Sequence, residues 1–255
     1  MSLILSPLKD IPLIKPGDDL VEMIAQSLEL TEIALADDDI IIIAQKVISK
    51  AEGRFVNLAA VTPSRWAEEL AEKTEKDPRL IELVLQESSD VLRYRPGVII
   101  VEHKLGFVCA NAGIDHSNVR GTGDEFDNWV LLLPLDPDQT ADLIRHRLEK
   151  ISEKRLGVMI IDSHGRAWRL GTVGAAIGIS GMPGVIDLYG RKDLFGYELH
   201  ATQVGAADEL AAAASLMMGQ AAEKTPVVHA RGFPYQLRDA NLSELLRPKD
   251  QDLFR

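Results

Sequence analysis

Apolar positions recur along the chain in two periods, and the switches between them mark the elements. Residues 3–8 (LILSPL) predict a short strand. Residues 11–16 (IPLIKP) carry two prolines, which exclude helix and predict an extended turn. Asp18 then caps a helix with Leu20, Val21, Ile24 and Leu28 on one face. The run 39–44 (DIIIIA) is continuously apolar and β-branched, as a buried strand requires. Thr62-Pro63 predicts another helix start, continued by Trp66, Leu70 and Ala71. Pro78 opens a third helix, through Leu80, Leu83 and Val84 to Ser88. Strands predicted at 97–101 and 106–109 are close enough to form a hairpin.

Residues 119–128 (VRGTGDEFDN) predict a polar surface loop, and 129–133 a strand. Asp136-Pro137-Asp138 starts a helix with Ala141, Ile144, Leu148 and Ile151 spaced for one apolar face. A strand at 157–161 follows, so this helix reads as a right-handed crossover. The glycine-spaced segment 171–184 matches neither the Walker nor the dinucleotide fingerprint, so close backbone packing with turns is its expected role. A charged loop at 187–196, a strand at 197–204, an alanine-rich helix at 208–219 and a last strand at 226–230 complete the pattern. Residues 1–255 are expected to form a single domain, with two lobes as the alternative, and about 234–255 a polar tail over the surface.

Composition narrows the partners. The formal net charge of −11 argues against duplex nucleic acid, so any bound phosphate must be met locally. The single cysteine, Cys109, excludes an intrachain disulfide and reads as a small buried apolar residue. The N-terminal MSLILSPLKDIPLI lacks the basic and long apolar regions of a leader, and no apolar run reaches spanning length. A cytoplasmic protein is expected, with neither a nucleic-acid nor a membrane partner.

Two stretches join a strand end to short polar groups. Residues 106–118 (GFVCANAGIDHSN) present Asn111, Asp115, His116, Ser117 and Asn118. Residues 157–171 (GVMIIDSHGRAWRLG) end their apolar run in Asp162-Ser163, followed by Arg166 and Arg169. Either aspartate alone is what a turn commonly uses. Together, beside hydroxyl and amide oxygens, they suit Mg²⁺ or Mn²⁺ bridging to phosphate. One cysteine and six scattered histidines give no zinc spacing. Lys46 and Lys50 lie four apart, just beyond the buried strand, where α/β sites collect; they serve phosphate or form a solvated pair. Arg166 and Arg169 either hold an anionic substrate or pair with surface acids. His116 and His164 read as a base, as donors behind a ligand, or as exposed turn residues. These residues support a metal-assisted site for phosphate or carboxylate and name no reaction.

The blocks IPLIKPGDDL, IAQKVISKAEGR, CANAGIDHSN, LLLPLDPD, IIDSHGRAWRLG, AIGISG, YGRKDLFGYEL and DELAAAASLMMGQ occur in this order from about residue 7 to about residue 232. In them the chain resembles the coenzyme F420:L-glutamate ligase family, in its stand-alone form without a nitroreductase-like domain. The resemblance implies an α+β fold of mixed β-sheets with packed helices, neither P-loop nor ATP-grasp, that forms a homodimer. It implies a GTP-dependent amide ligase that adds L-glutamate to F420-0 and then γ-linked glutamate to F420-1. The implied route is an acyl phosphate, with GDP and phosphate released. The expected cofactors are GTP, Mg²⁺ or Mn²⁺, and a monovalent cation such as K⁺. A metal-dependent phosphohydrolase and a non-catalytic GTP-binding module are the alternatives.

By motif, the resemblance assigns Ile11, Pro12, Leu13 and Ile14 to the lining of the guanine nucleotide site. Gln45, Lys46 and Lys50 match contacts to its phosphates or sugar, and Asn118 matches a further nucleotide contact. Asp115 and Asp162 match metal-binding carboxylates and, with Lys50, are the expected catalytic residues. Ser163 stands where threonine is common and keeps the hydroxyl for the metal. Gln220, after Met218 and Gly219, matches a position that reaches metal and nucleotide, where some relatives carry glutamate. Arg166 and Arg169 are assigned to the anionic F420 tail on their chemistry alone.

Overall fold

The computed structural model describes residues 2–119 and 128–254. The first half contains β1 (Ile4–Pro7), α1 (Leu20–Leu30), β2 (Asp39–Ala44), α2 (Gln45–Ala51), β3 (Phe55–Asn57), α3 (Arg65–Thr74), α4 (Pro78–Gln86), β4 (Ser88–Arg95), β5 (Val98–His103) and β6 (Val108–Ala110). The second contains β7 (Trp129–Leu131), α5 (Pro137–Ser152), β8 (Leu156–Gly165), β9 (Thr172–Ser180), β10 (Ile186–Asp187), β11 (Gln203–Val204), α6 (Ala206–Met218) and β12 (Val227–Arg231).

The isoleucine run forms the middle strand of a five-stranded sheet in the order β1-β12-β2-β8-β9. Only β2 and β8 are parallel, with Ala44 opposite Ile161. Alternation along the strands sends side chains to both faces. Ile41, Ile43, Val158 and Ile160 pack with α1 and α5 on one side. Ile40, Ile42, Met159 and Ile161 pack with α6 on the other. Each fully buried isoleucine contributes roughly 1.5–3 kcal/mol, which is why this segment cannot be an edge or a loop. A second sheet, β4-β5-β6, packs Ile99 and Val101 against α3 and α4. The pair β3–β7 is separate again. The fold is thus mixed α and β with several sheets, as expected.

Glycines in β9 serve close packing. A Cβ on Gly174 would collide with the Ala211 carbonyl of α6, and one on Gly178 with Pro137 of α5. Both helices therefore approach the strand backbone closely, one on each side.

Several expectations are corrected. Asp19, not Asp18, caps α1, while the Asp18 carboxylate accepts from Lys15 N. Ser64 caps α3, two residues after Thr62, the expected cap. The helix from Pro78 stops at Gln86, and the half-exposed residues 88–95 form β4, whose alternation is broken by register shifts. The strand preceding α5 pairs with β3 in a separate sheet, so β7-α5-β8 is not the expected crossover; β8 instead lies beside the distant β2. Ile151 projects into solvent beyond the buried stripe of α5. Of 197–204 only Gln203–Val204 is strand. The C-terminal segment is polar but docked: Leu237 and Leu242 are buried, and Asp138 accepts from Leu242 N. Most of the loop expected at 119–128 lies outside the described residues.

Candidate active site

Parallel pairing puts the carboxyl ends of β2 and β8 side by side, with Ala44 and Ile161 as the last paired residues. Beyond them β2 turns directly into α2, while β8 continues to Asp162. Gln45 and Lys46 thereby stand next to Asp162 at the edge where α/β sites form. The segment after β6 enters from a third direction, bridged to β7 by the reciprocal bonds Asp115 N to Leu131 O at 2.9 Å and Leu131 N to Asp115 O at 2.8 Å.

Asp115 meets α2 through two side chains. Lys46 Nζ lies 2.9 Å from its Oδ2, and Gln45 Nε2 donates to the same oxygen. Ser49, one turn on, donates to Gln45 Oε1 at 2.8 Å and so fixes which end of the amide faces Asp115. Burial pushes the Asp115 carboxyl above its ordinary value, Lys46 pulls it back, and the charge of Asp162 pushes it up further. The two carboxylates therefore share one electrostatic environment. Burial and the Lys46 charge lower Lys50, and Asp115 opposes them.

Asp162 is almost enclosed. Burial acts to raise it, but His164, the Ser163 N–H and the Lys46 charge together outweigh burial and hold it below the ordinary range. His164 Nε2 approaches Asp162 Oδ2 at 3.1 Å, a polar contact without full hydrogen-bond alignment.

Asn118 closes the site on its other side. It adopts a left-handed backbone, φ 58°, which asparagine tolerates better than most residues. Lys50 Nζ donates to its carbonyl at 2.8 Å, and its side-chain amide donates to Ala221 O at 3.1 Å. Next to Ala221, Gln220 Oε1 accepts from Ser163 Oγ at 3.0 Å, and Gln220 Nε2 donates to Ser215 Oγ at 3.1 Å. The contacts thus run in a circuit from Asp115 through α2 and Asn118 to Gln220, Ser163 and Asp162.

The donor chemistry fits a hard cation: two carboxylates, of which the charge of Asp162 raises the cost of charging Asp115, a hydroxyl and an amide oxygen. Among the described residues no group of three or more His, Cys, Asp or Glu forms a metal cluster. The neutral oxygens of Ser163 and Gln220 would therefore have to complete the set.

Comparison with known proteins now bears on the circuit. The family model described as F420-0:Gamma-glutamyl ligase matches residues 9–232. The chain is 44% identical over its whole length to the coenzyme F420:L-glutamate ligase of Methanothermobacter thermautotrophicus, also covered entirely. It is 43% identical to that of Methanocaldococcus jannaschii, with 96% of this chain and 94% of the other covered. It is 41% identical to that of Archaeoglobus fulgidus, covering 98% and 95%.

The chain belongs to the F420-0:gamma-glutamyl ligase family. It is a ligase enzyme of coenzyme F420 biosynthesis.

Within this family member, the structure gathers Gln45, Lys46, Lys50, Asp115, Asn118, Asp162, Ser163 and Gln220. Ile11 and Ile14 pack against the core beside α1, and Leu13 is exposed. This segment abuts the far end of α2, where Gly17 N donates to Ala51 O at 2.8 Å. The Met218 side chain sits in the core, and Gly219 ends α6 with φ 72°. Arg166 and Arg169 stand exposed at the β8–β9 turn, where Arg166 donates to Leu170 O at 3.4 Å. His116 is exposed and Cys109 buried, its thiol pushed up to about 12 mainly by burial. Sequence reasoning missed Ser49, Ser215 and Phe107. Ser49 was discoverable from its helical spacing to Gln45; the other two depend on tertiary contacts.

Proposed function

We propose that this ligase uses GTP to join L-glutamate to F420-0, and then γ-linked glutamate to F420-1, through an acyl phosphate. The circuit of Asp115 and Asp162 with Lys46 and Lys50 at the carboxyl edge of the parallel strands carries this reading. A carboxylate resists amine attack because oxide is a poor leaving group. In the proposed first step an acceptor carboxylate oxygen bonds the γ-phosphorus of GTP while the bridge to the β-phosphate breaks and GDP leaves. The amine of glutamate then attacks the carbonyl carbon; the C–N bond forms, phosphate departs and the nitrogen loses a proton.

Lys46 and Lys50 meet the phosphate charge, and Gln45 and Asn118 orient the nucleotide. Asp115, Asp162, Ser163 and Gln220 would hold Mg²⁺ or Mn²⁺, which when bound neutralises charge on the transferring phosphoryl group. A monovalent cation such as K⁺ belongs to the same proposal. Arg166 and Arg169, exposed beside the site strand, would take the anionic tail of the acceptor. A second copy of the chain is proposed to cover the exposed apolar residues Leu170, Leu194, Phe195 and Leu216. Among the described residues no helix is long and apolar enough to cross a membrane, and a cytoplasmic location is proposed.

Incubation with GTP, F420-0 and L-glutamate, read by product mass, tests the reaction. GDP release that needs all three and adds a glutamyl mass is expected. GDP release with GTP alone would instead establish a phosphohydrolase, and binding without release a non-catalytic module. Light scattering checks the dimer.

A further inference from the structure

Asp162 and His164 are two apart on β8, so both project to one side of the sheet. His164 lies on Phe107, with ring centroids 5.1 Å apart and planes inclined by 47°. Phe107 is stacked in turn on His103, at 5.3 Å and 8°. His103 is anchored in the turn of the β5–β6 hairpin: its Nδ1 accepts from Leu105 N at 3.0 Å, and its carbonyl from Gly106 N at 2.8 Å. Three rings thus form one wall from that turn to the Asp162 carboxylate. Phe107 and His103 are buried, His103 at the end of β5 in a different sheet and Phe107 in the turn just before β6, so they do not bind substrate directly. His164 keeps only 13% of its side chain exposed and points its Nε2 at Asp162, a poor arrangement for taking a proton from an incoming amine.

A carboxylate that holds a metal needs an outer partner to fix its rotation, because a free carboxylate samples many orientations. Burial alone cannot supply that partner, since apolar walls leave the torsion about Cβ–Cγ broad. Contact from a braced imidazole can.

We propose that His164, braced by Phe107 and His103, is a positioning residue that fixes the Asp162 carboxylate for a divalent cation. The inference rests on the metal-assisted reading above, and metal binding without turnover separates the two.

Mn²⁺ binding to the full chain with a non-hydrolysable GTP analogue, followed by electron paramagnetic resonance, provides the readout. His164→Ala is expected to raise the Mn²⁺ dissociation constant about 10-fold or more, the range found for outer-shell partners of metal ligands. At saturating Mn²⁺ its kcat is expected within about threefold of the parent, so the loss lies in metal affinity rather than chemistry. His164→Gln, which keeps an N–H donor, is expected to recover most of the affinity. Unchanged Mn²⁺ affinity in His164→Ala overturns the proposal, and a collapsed kcat alongside it makes His164 a base. If His164→Ala does not fold, Phe107→Leu decides: a raised Mn²⁺ dissociation constant supports the brace, and an unchanged one overturns it. Asp162→Asn is the control for the underlying reading. Should it bind Mn²⁺ like the parent, the metal assignment itself fails, whatever His164 does.

Discussion

Burial pushes the Asp115 carboxyl up against the pull of Lys46, and the sign of that shift sets stability against function at one residue. A folded-state pKa above the unfolded one means that the charged form at neutral pH weakens the fold. Asp115→Asn is therefore expected to lose turnover at least about 100-fold while raising the thermal midpoint. Scanning fluorimetry beside the product assay measures both, and a lower midpoint would mean that the Lys46 ion pair outweighs burial. Lys50→Ala removes a cation from the phosphate side, and its dissociation constant for a GTP analogue should rise about 10-fold by calorimetry. His103 behaves oppositely to a salt-bridged histidine. Burial, with Arg54, Lys104 and His164 nearby, lowers it from 6.5 to about 4. Between those values the unfolded chain binds the proton more readily, so stability falls as the medium is acidified through that window. His103→Gln should flatten this slope in urea titrations from neutral to acidic pH. Asp115 and Asp162 were legible as candidates because a carboxylate after an apolar run is visible in one dimension. Ser215 and Phe107 were not, because ordinary core and helix residues acquire a role only from what they touch.

The elements reflect their periodicities where a periodicity exists. The isoleucine run of β2 and the stripe of Leu20, Val21, Ile24 and Leu28 in α1 have one physical solution each. β4 was missed because its register shifts and exposed arginines break the alternation. The helix boundary at Thr62-Pro63 slipped because Ser64 offers an equally good cap and accepts from Ala67 N at 3.2 Å. The glycine-spaced segment 171–184 was read as close packing with turns: Gly174 and Gly178 do pack closely, but on a strand, β9, that the reading missed. Gly174→Ala is expected to cost about 1–3 kcal/mol, since neither the Ala211 carbonyl nor its helix can move freely. Urea denaturation checks it, and an unchanged midpoint would show that α6 can lift off the strand.

Across the molecule, β2 and β12 are locked at one end by Asp39, which is buried between His229 and Arg231. Arg231 Nε and Nη2 lie 2.8 and 2.6 Å from its two oxygens, and His229 Nε2 lies 2.8 Å from Oδ2. Burial acts to raise Asp39, but these partners outweigh it and hold the carboxyl well below the usual range. Its stabilisation is therefore present at neutral pH and lost as the pH falls through and below the ordinary carboxylate value. Asp39→Asn is expected to cost about 3 kcal/mol at pH 7, where it strands a buried partner, and less in acid. Chemical denaturation at both pH values tests this; an equal loss at each would refute the charge argument. The lock and the site lie at opposite ends of the same strand, Asp39 at its start and Gln45 just past its end. The sequence by itself determined which segments must be buried, where helices could start, and which side chains had chemistry to offer, because periodicity, capping and ionisation are local properties. Only the tertiary structure decided that β8 lies parallel beside β2 rather than following β7, and so that Asp162 meets Lys46 and Asp115. Strand pairing depends on contacts between residues more than a hundred positions apart, and no local preference encodes which partner is chosen.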